Sequence, residues 1–243
     1  MNGHLINVRN SGGIYVRIER LSLISGANRA RGLTVVIDVF RAFTTAAYVM
    51  ANGADRIIPV GSLEEAFELK RRNLDWVLMG ERNGERVEGF DYGNSPFEIE
   101  HVDFTGKIVI QTTASGTQGV VNAKTAKEII LGSFVMAEAI VKHIKIVRPE
   151  VVSLIAMGDR GVEPNVEDEL CAEYIENQIR NSSPNFEEMK ERIRRSPSGA
   201  KFFDPTQPQY LEGDFWLAMD LDRFDFILRV VKDDGLHVVK ELP

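Results

Sequence analysis

The stretch LTVVIDVFRAFTT (residues 33–45), continued by IIPVGS (57–62) and MGER (79–82), decides the fold. Each segment is an apolar run that ends in a polar turn. The run before Asp38 is almost continuous and β-branched, the character of a strand covered on both faces. Ala42 to Met50 reads as a helix that Asn52-Gly53 can close, because glycine tolerates the left-handed conformation there. RIIPV is a second strand. Pro59 has no N–H to give, which favours a sheet edge or a strand end. Ser62 and Glu65 form a capping box for LEEAFELKRRN, and a third strand runs from Leu74 to Met79.

The order then returns roughly seventy residues later, a spacing too long for a solenoid repeat. KIVIQTTASGTQG (107–119) is a strand and turn with a helix near Gln118 to Lys124. EIILGS (128–133), a helix from Phe134 to Ile146 and VVSLIAMGDR (151–160) complete the copy. Upstream, Ile14 to Leu21 alternates as a strand. Downstream, PNVEDE opens a helix with acids in its first turn, where the macrodipole favours them. A lid helix is expected near Glu187 to Arg195, and a short helix and a strand in DFWLAMDLDRFDFILRVV. Strands alternating with helices predict an α/β protein, with a mostly parallel or mixed central sheet. The expectation is one domain over 1–243, with an internal repeat at about 33–82 and 107–160.

Composition narrows the function. The 243 residues are 44% hydrophobic and 27% charged, as in an ordinary soluble domain. A net charge of −7 argues against a general nucleic-acid binder. No run of about eighteen apolar residues suggests a membrane span, and the N-terminus lacks a signal peptide's apolar core. The single cysteine, Cys171, fits a reducing cytoplasm, and four scattered histidines make structural zinc a poor expectation.

Open α/β sheets keep ligands at strand-to-helix loops, so those loops hold the candidates. Asp38, at the end of a central strand, is placed to bind Mg²⁺ or to attack phosphorus; capping a helix or pairing with Arg41 are the bland alternatives. Arg41 offers a rigid fork of donors to phosphate or sulfonate oxygens. Thr44 and Thr45 donate hydroxyls or merely cap. Thr112, Thr113, Ser115 and Thr117 surround Gly116, a turn able to aim N–H groups at an anion. It lacks both the Gly-Lys-Ser/Thr of a nucleotide P-loop and the Gly-x-Ser-x-Gly of a lipase-type nucleophile elbow. Glu81-Arg82 and Asp159-Arg160 end corresponding strands, and Glu167 and Asp168 add carboxylates. Cys171 lies one helical turn beyond Asp168, with packing favoured over reactivity. GFDYGNSPF (89–97) belongs to a long connection expected to be ordered and functional, and is a candidate homodimer surface.

Together, DVFRAFTTAAYVMANGADRIIPV, MGERNGERVEGFDYGNSP, TTASGTQG, LGSF and EDELCAEYI resemble the 2-phosphosulfolactate phosphatase family, over roughly Val35 to Ile175. The resemblance implies a three-layer α/β/α fold and a Mg²⁺-dependent phosphatase that releases sulfolactate and phosphate, a step toward coenzyme M in methanogens. It implies catalytic roles for Asp38, Arg41, Glu81, Arg82, Asp168 and Cys171. Matching substrate positions are Thr44, Asn94, Ser95, Thr112, Thr113, Gly116 and Thr117. Gly89 and Asp91 match as well. Ser115 departs from the family's usual asparagine, Phe43 stands where a smaller or hydroxyl residue is usual, and the C-terminal segment matches loosely. The expected mechanism places Mg²⁺ among Asp38, Glu81, Asp159 and Asp168, with the arginines and the 112–117 turn, Ser115 included, on the anion of a small phosphate ester. Two alternatives stand beside it. One is a haloacid-dehalogenase-like phosphatase, weakened because its acid/base position is Phe40. The other is a non-catalytic anion-binding or regulatory module.

Overall fold

A computed structural model describes residues 5–9, 15–232 and 237–243. Its strands are β1 (Leu5–Arg9), β2 (Tyr15–Ser22), β3 (Gly32–Ile37), β4 (Arg56–Pro59), β5 (Val77–Arg82), β6 (Glu85–Arg86), β7 (Ile108–Thr112), β8 (Ala126–Gly132), β9 (Val151–Ala156), β10 (Ile227–Val231) and β11 (His237–Glu241). Its helices are α1 (Leu23–Ala27), α2 (Ala42–Ala51), α3 (Leu63–Arg72), α4 (Pro96–Ile99), α5 (Gly116–Asn122), α6 (Ala137–Val147), α7 (Val166–Ile179), α8 (Phe186–Arg195), α9 (Pro197–Ala200) and α10 (Glu212–Ala218). Short 3₁₀ turns at Phe134–Met136 and Lys201–Phe203 lead into α6 and out of α9.

The sheet is mixed, with strand order β1-β2-β9-β3-β8-β10-β11-β4-β7-β5-β6. β3 runs parallel to both β8 and β9, and β7 runs parallel to both β4 and β5. The first strand of each sequence unit therefore lies between the second and third strands of the other. The two parallel trios are bridged by the antiparallel β10–β11 hairpin. α6 and α7 pack on each other against β8, β9 and β10, while α1 and α5 pack together against β3, β4 and β9, giving helical layers about a central sheet.

Local chemistry accounts for these elements. Leu33, Val35, Val36 and Ile37 are buried, as a strand with neighbours on both sides and helices above and below requires. Pro59 is the last residue of β4, an interior strand, so it takes the strand-end position of the two its missing N–H allows. Ser62 Oγ accepts from the Glu65 amide at 3.1 Å. In return, Glu65 Oε2 accepts from the Gly61 amide at 3.3 Å, one residue earlier than in a standard box. Gly53 closes α2 at φ +95, and a Cβ there would lie 2.8 Å from Thr105 Oγ1.

The connection between the two units is ordered by its aromatics. Phe90 packs on Phe67 and Tyr92 on Phe104, with ring centroids 5.4 Å apart in both pairs. The exposed aromatic surface expected of this loop is thereby reduced to Phe97. Among the described residues, no helix is long and apolar enough to cross a membrane.

Candidate active site

In a flat sheet, the five inter-strand steps from β3 to β7 would separate them by roughly 24 Å. Instead, a Cβ built on Gly116 would lie 2.8 Å from Asp38 Oδ2, 2.9 Å from Ala42 Cβ and 3.0 Å from Phe43 Cζ. The sheet therefore curls, and among the described residues pairing thins to the single rung Val238–Ile57 between β11 and β4. Curling brings the carboxyl ends of the two central strands together. Only glycine at 116 lets the start of α5 approach the aspartate this closely.

A cavity of about 190 Å³ opens at this junction. Of the expected residues, its wall contains Asp38, Arg41, Glu81, Asn94, Thr113, Ser115, Asp159, Arg160 and Glu167. Ser198, Lys201 and Tyr210 join them from the C-terminal third of the chain.

The acids differ in what already engages them. Asp38 Oδ1 accepts from the Ala42 amide at 3.1 Å. Burial, then the Asp168 and Glu81 charges, hold its pKa well above the usual carboxylate range, against the pull of the Ala42 and Gly116 amides. Glu81 bridges two loops by accepting from the Gly84 amide at 2.8 Å and the Ala114 amide at 2.9 Å. Glu167 is buried, takes a 2.5 Å bond from Ser198 Oγ and is pushed by burial to about 7.

Asp168 has a different task. Its two oxygens accept from the Val39 amide at 2.8 Å and the Gly158 amide at 2.9 Å, tying the turn after β3 to the turn after β9. Burial and then the Glu167 charge raise it to about 8, and it does not reach the cavity wall. Asp159 reaches the wall but is about half exposed, 3.8 Å from its neighbour Arg160.

Several expected anion ligands are engaged by the protein itself. Arg41 Nη1 donates to Asp214 Oδ2 at 2.8 Å and to the Gln209 carbonyl at 3.0 Å, and Nη2 donates to the Gly84 carbonyl at 2.8 Å. Only its remaining N–H groups are free for a ligand. Arg82 Nη2 donates to Thr112 Oγ1 at 3.0 Å. The Thr44 hydroxyl turns back to the Val39 carbonyl at 2.9 Å, inside α2. Ser95 caps α4 and donates to Asp214 Oδ1 at 2.6 Å. In the 112–117 turn, the Thr113 amide bonds Thr117 Oγ1 at 3.0 Å, the Thr117 amide bonds Thr113 Oγ1 at 3.3 Å and the Ala114 amide serves Glu81. Ser115 Oγ donates to the Gly158 carbonyl at 2.7 Å. The turn is thus knit mainly to the protein, where the sequence had suggested a nest of N–H groups for an anion. Cys171 is buried in the core cluster, off the cavity wall, and burial pushes its thiol well above the ordinary range.

Among the described residues, one wall residue carries a fully buried side-chain polar atom without a partner. Asn94 is 4% exposed, yet its Oδ1 has no hydrogen-bond partner among the described residues. Among those residues, no group of three or more His, Cys, Asp and Glu side chains forms a metal cage. Phe40, Phe202 and Tyr210 supply the apolar part of the wall, with the Phe40 and Phe202 rings 4.7 Å apart. Because Phe40 cannot move a proton, the haloacid-dehalogenase-like alternative has no acid/base at that position.

An α/β sheet with buried acids, cations and an unpartnered amide around a small cavity at its strand ends is the architecture of an enzyme acting on a small polar substrate. Residues 20–227 match the model of the 2-phosphosulpholactate phosphatase family, and the chain belongs to that family of phosphoric monoester hydrolases. A probable 2-phosphosulfolactate phosphatase of Bacillus subtilis is 33% identical, over 86% of this chain and 92% of its own length. The protein of that description from Thermotoga maritima is 32% identical over the same shares. One from Caldicellulosiruptor saccharolyticus is 40% identical over 58% of this chain and 60% of its own.

Proposed function

We propose that the chain is a Mg²⁺-dependent phosphatase that hydrolyses 2-phosphosulfolactate to sulfolactate and phosphate. The observation that carries this reading is the convergence of Asp38, Glu81 and Glu167 on one cavity whose wall also includes Asn94, with its buried, unpartnered Oδ1. The donor set fits Mg²⁺, a hard cation that takes oxygen ligands, uses one or two carboxylates and keeps several waters. Asp38 and Glu81, whose charges act on each other, would hold it, with Asn94 Oδ1 as a further oxygen. When bound, it supplies charge neutralisation and Lewis-acid polarisation of the phosphoryl group.

The rest falls to the chain's own residues. The remaining Arg41 donors and the Thr113 hydroxyl face the phosphoryl oxygens. Water attacks phosphorus, the ester P–O bond breaks and the departing alkoxide needs a proton. Glu167, with a pKa of about 7, is poised to hold that proton at neutral pH. The water's oxygen and one hydrogen leave with the phosphate, and its other proton replaces the one given up.

The test is phosphate release from 2-phosphosulfolactate with Mg²⁺ and with chelator. Turnover lost on chelation and restored by Mg²⁺ supports the reading. Sulfolactate binding without turnover of any ester would leave an anion-binding module instead. Mass spectrometry of trapped enzyme decides the attacker, since a phosphoryl adduct on Asp38 would replace water in that role.

A further inference from the structure

Three cations reach the cavity wall: Arg41, Arg160 and Lys201. The Arg41 charge is already balanced, because its guanidinium lies 2.8 Å from Asp214 and both side chains are buried. Arg160 is exposed at the rim beside Asp159. Lys201 differs from both. Among the described residues it makes no ion pair within 4.0 Å, although its charge acts on that of Glu167, which lines the same cavity.

Its position is nonetheless fixed. The Lys201–Phe203 turn is anchored by Phe202, which is buried against Phe40 and Phe215 at centroid distances of 4.7 and 6.3 Å. The ammonium stands 5.4 Å from the centre of the Tyr210 ring, whose other cationic neighbour is Arg41 at 5.2 Å. An aromatic face holds a cation in place without neutralising it. A held ammonium with no ion-pair partner among the described residues, at the wall of a small cavity, is complementary to an anion. On the phosphatase reading Arg41 and Thr113 already serve the reacting phosphoryl group, so a second anionic group is the remaining candidate.

We propose that Lys201 is a specificity-determining residue whose ammonium pairs with a non-reacting acid group of the substrate, selecting phosphate esters of hydroxy acids over neutral alkyl phosphates. This rests on the phosphatase reading above. The acid group is the carboxylate or sulfonate flanking the ester, and a side chain of this reach commits to one of them.

The experiment compares wild type, Lys201→Ala and Lys201→Arg on 2-phosphosulfolactate, 2-phospholactate and isopropyl phosphate. For Lys201→Ala, kcat/KM on 2-phosphosulfolactate should fall roughly 10- to 100-fold, as for a lost charge-assisted hydrogen bond, mainly through KM. Isopropyl phosphate, with no flanking acid, should change less than about twofold, and arginine should restore most of the loss. An undiminished effect on 2-phospholactate assigns the pairing to the carboxylate, and loss of the effect assigns it to the sulfonate. Equal loss on all three esters would overturn the proposal by placing Lys201 on the phosphoryl group, and no loss on any would overturn it outright. Calorimetry separates this idea from the phosphatase reading. If wild type turns over nothing, roughly tenfold weaker sulfolactate binding in Lys201→Ala still upholds the role, and unchanged binding refutes it.

Discussion

Replacing Asp214 with alanine would strand the Arg41 guanidinium in the interior. The two side chains are 4% and 0% exposed, and the Asp214 carboxylate also accepts from Ser95 Oγ at 2.6 Å and from the Phe97 amide at 3.0 Å. Breaking a buried ion pair from one side typically costs about 3–5 kcal/mol, because the surviving charge keeps its desolvation penalty. Each orphaned donor adds about 1–3 kcal/mol unless water enters to replace the lost acceptor. Taking about 4 kcal/mol, the middle of the ion-pair range, and about 2–4 °C per kcal/mol for a chain of this size, Tm should fall by about 8–16 °C. Urea unfolding of wild type, Asp214→Ala and the double variant Arg41→Met/Asp214→Leu measures this. The double variant should recover much of the stability, since neither charge remains, while staying impaired in turnover. A loss below about 1 kcal/mol in the single variant, or a double variant no more stable than the single, would refute the ion-pair reasoning.

Gly116→Ala should cut kcat at least about tenfold with the fold retained by circular dichroism, because its Cβ would press on Asp38 Oδ2 at 2.8 Å; unchanged kcat would show that the turn gives way freely. The metal-free protein should lose stability as pH rises from about 4.5 through about 7, since Glu167 is raised from 4.5 to about 7 and binds its proton more tightly folded than unfolded. Below the unfolded value both states are protonated and that cost is absent, so Glu167→Gln should flatten the decline in urea midpoints over this window. Cys171→Ala should keep kcat within about twofold while losing about 1 kcal/mol from a buried position that does not touch the cavity; abolished turnover with the fold intact would restore the thiol to the mechanism.

What was legible in the sequence was mostly local. The runs before Asp38 and Thr113 became strands because consecutive β-branched residues suit a sheet covered on both sides, and the run before Glu81 did so as a short apolar stretch, Val77 to Met79. Strand order was not legible, because apolar periodicity names elements without naming partners. The 112–117 turn was found correctly as a turn, but hydroxyl content does not tell whether a threonine faces a ligand or its own backbone. Asp214 and Lys201 enter from far along the chain, where no spacing links them to Asp38. Glu167, Asp168 and Glu169 show the limit most clearly. Successive residues on a helix point about 100° apart, so Glu167 faces the cavity, Asp168 the two loop amides and Glu169 the pair Arg20 and Ser22, at 2.9 and 2.5 Å. Three adjacent acids thus have three separate tasks, and the helix-start signature announces them as one group.

The interleaving of the two trios bears on how the chain assembles. β3 finds its parallel neighbours only when β8 and β9 exist, and β7 needs β4 and β5 from the earlier unit. During synthesis the first half must therefore wait, its most apolar strand unpaired, until residues near 156 have left the ribosome. Such long-range pairing slows folding and lengthens the exposure of aggregation-prone surface. Cutting the chain between the units, near Gly106, would yield halves that each lack the middle of a sheet, and they would recover structure only on being mixed.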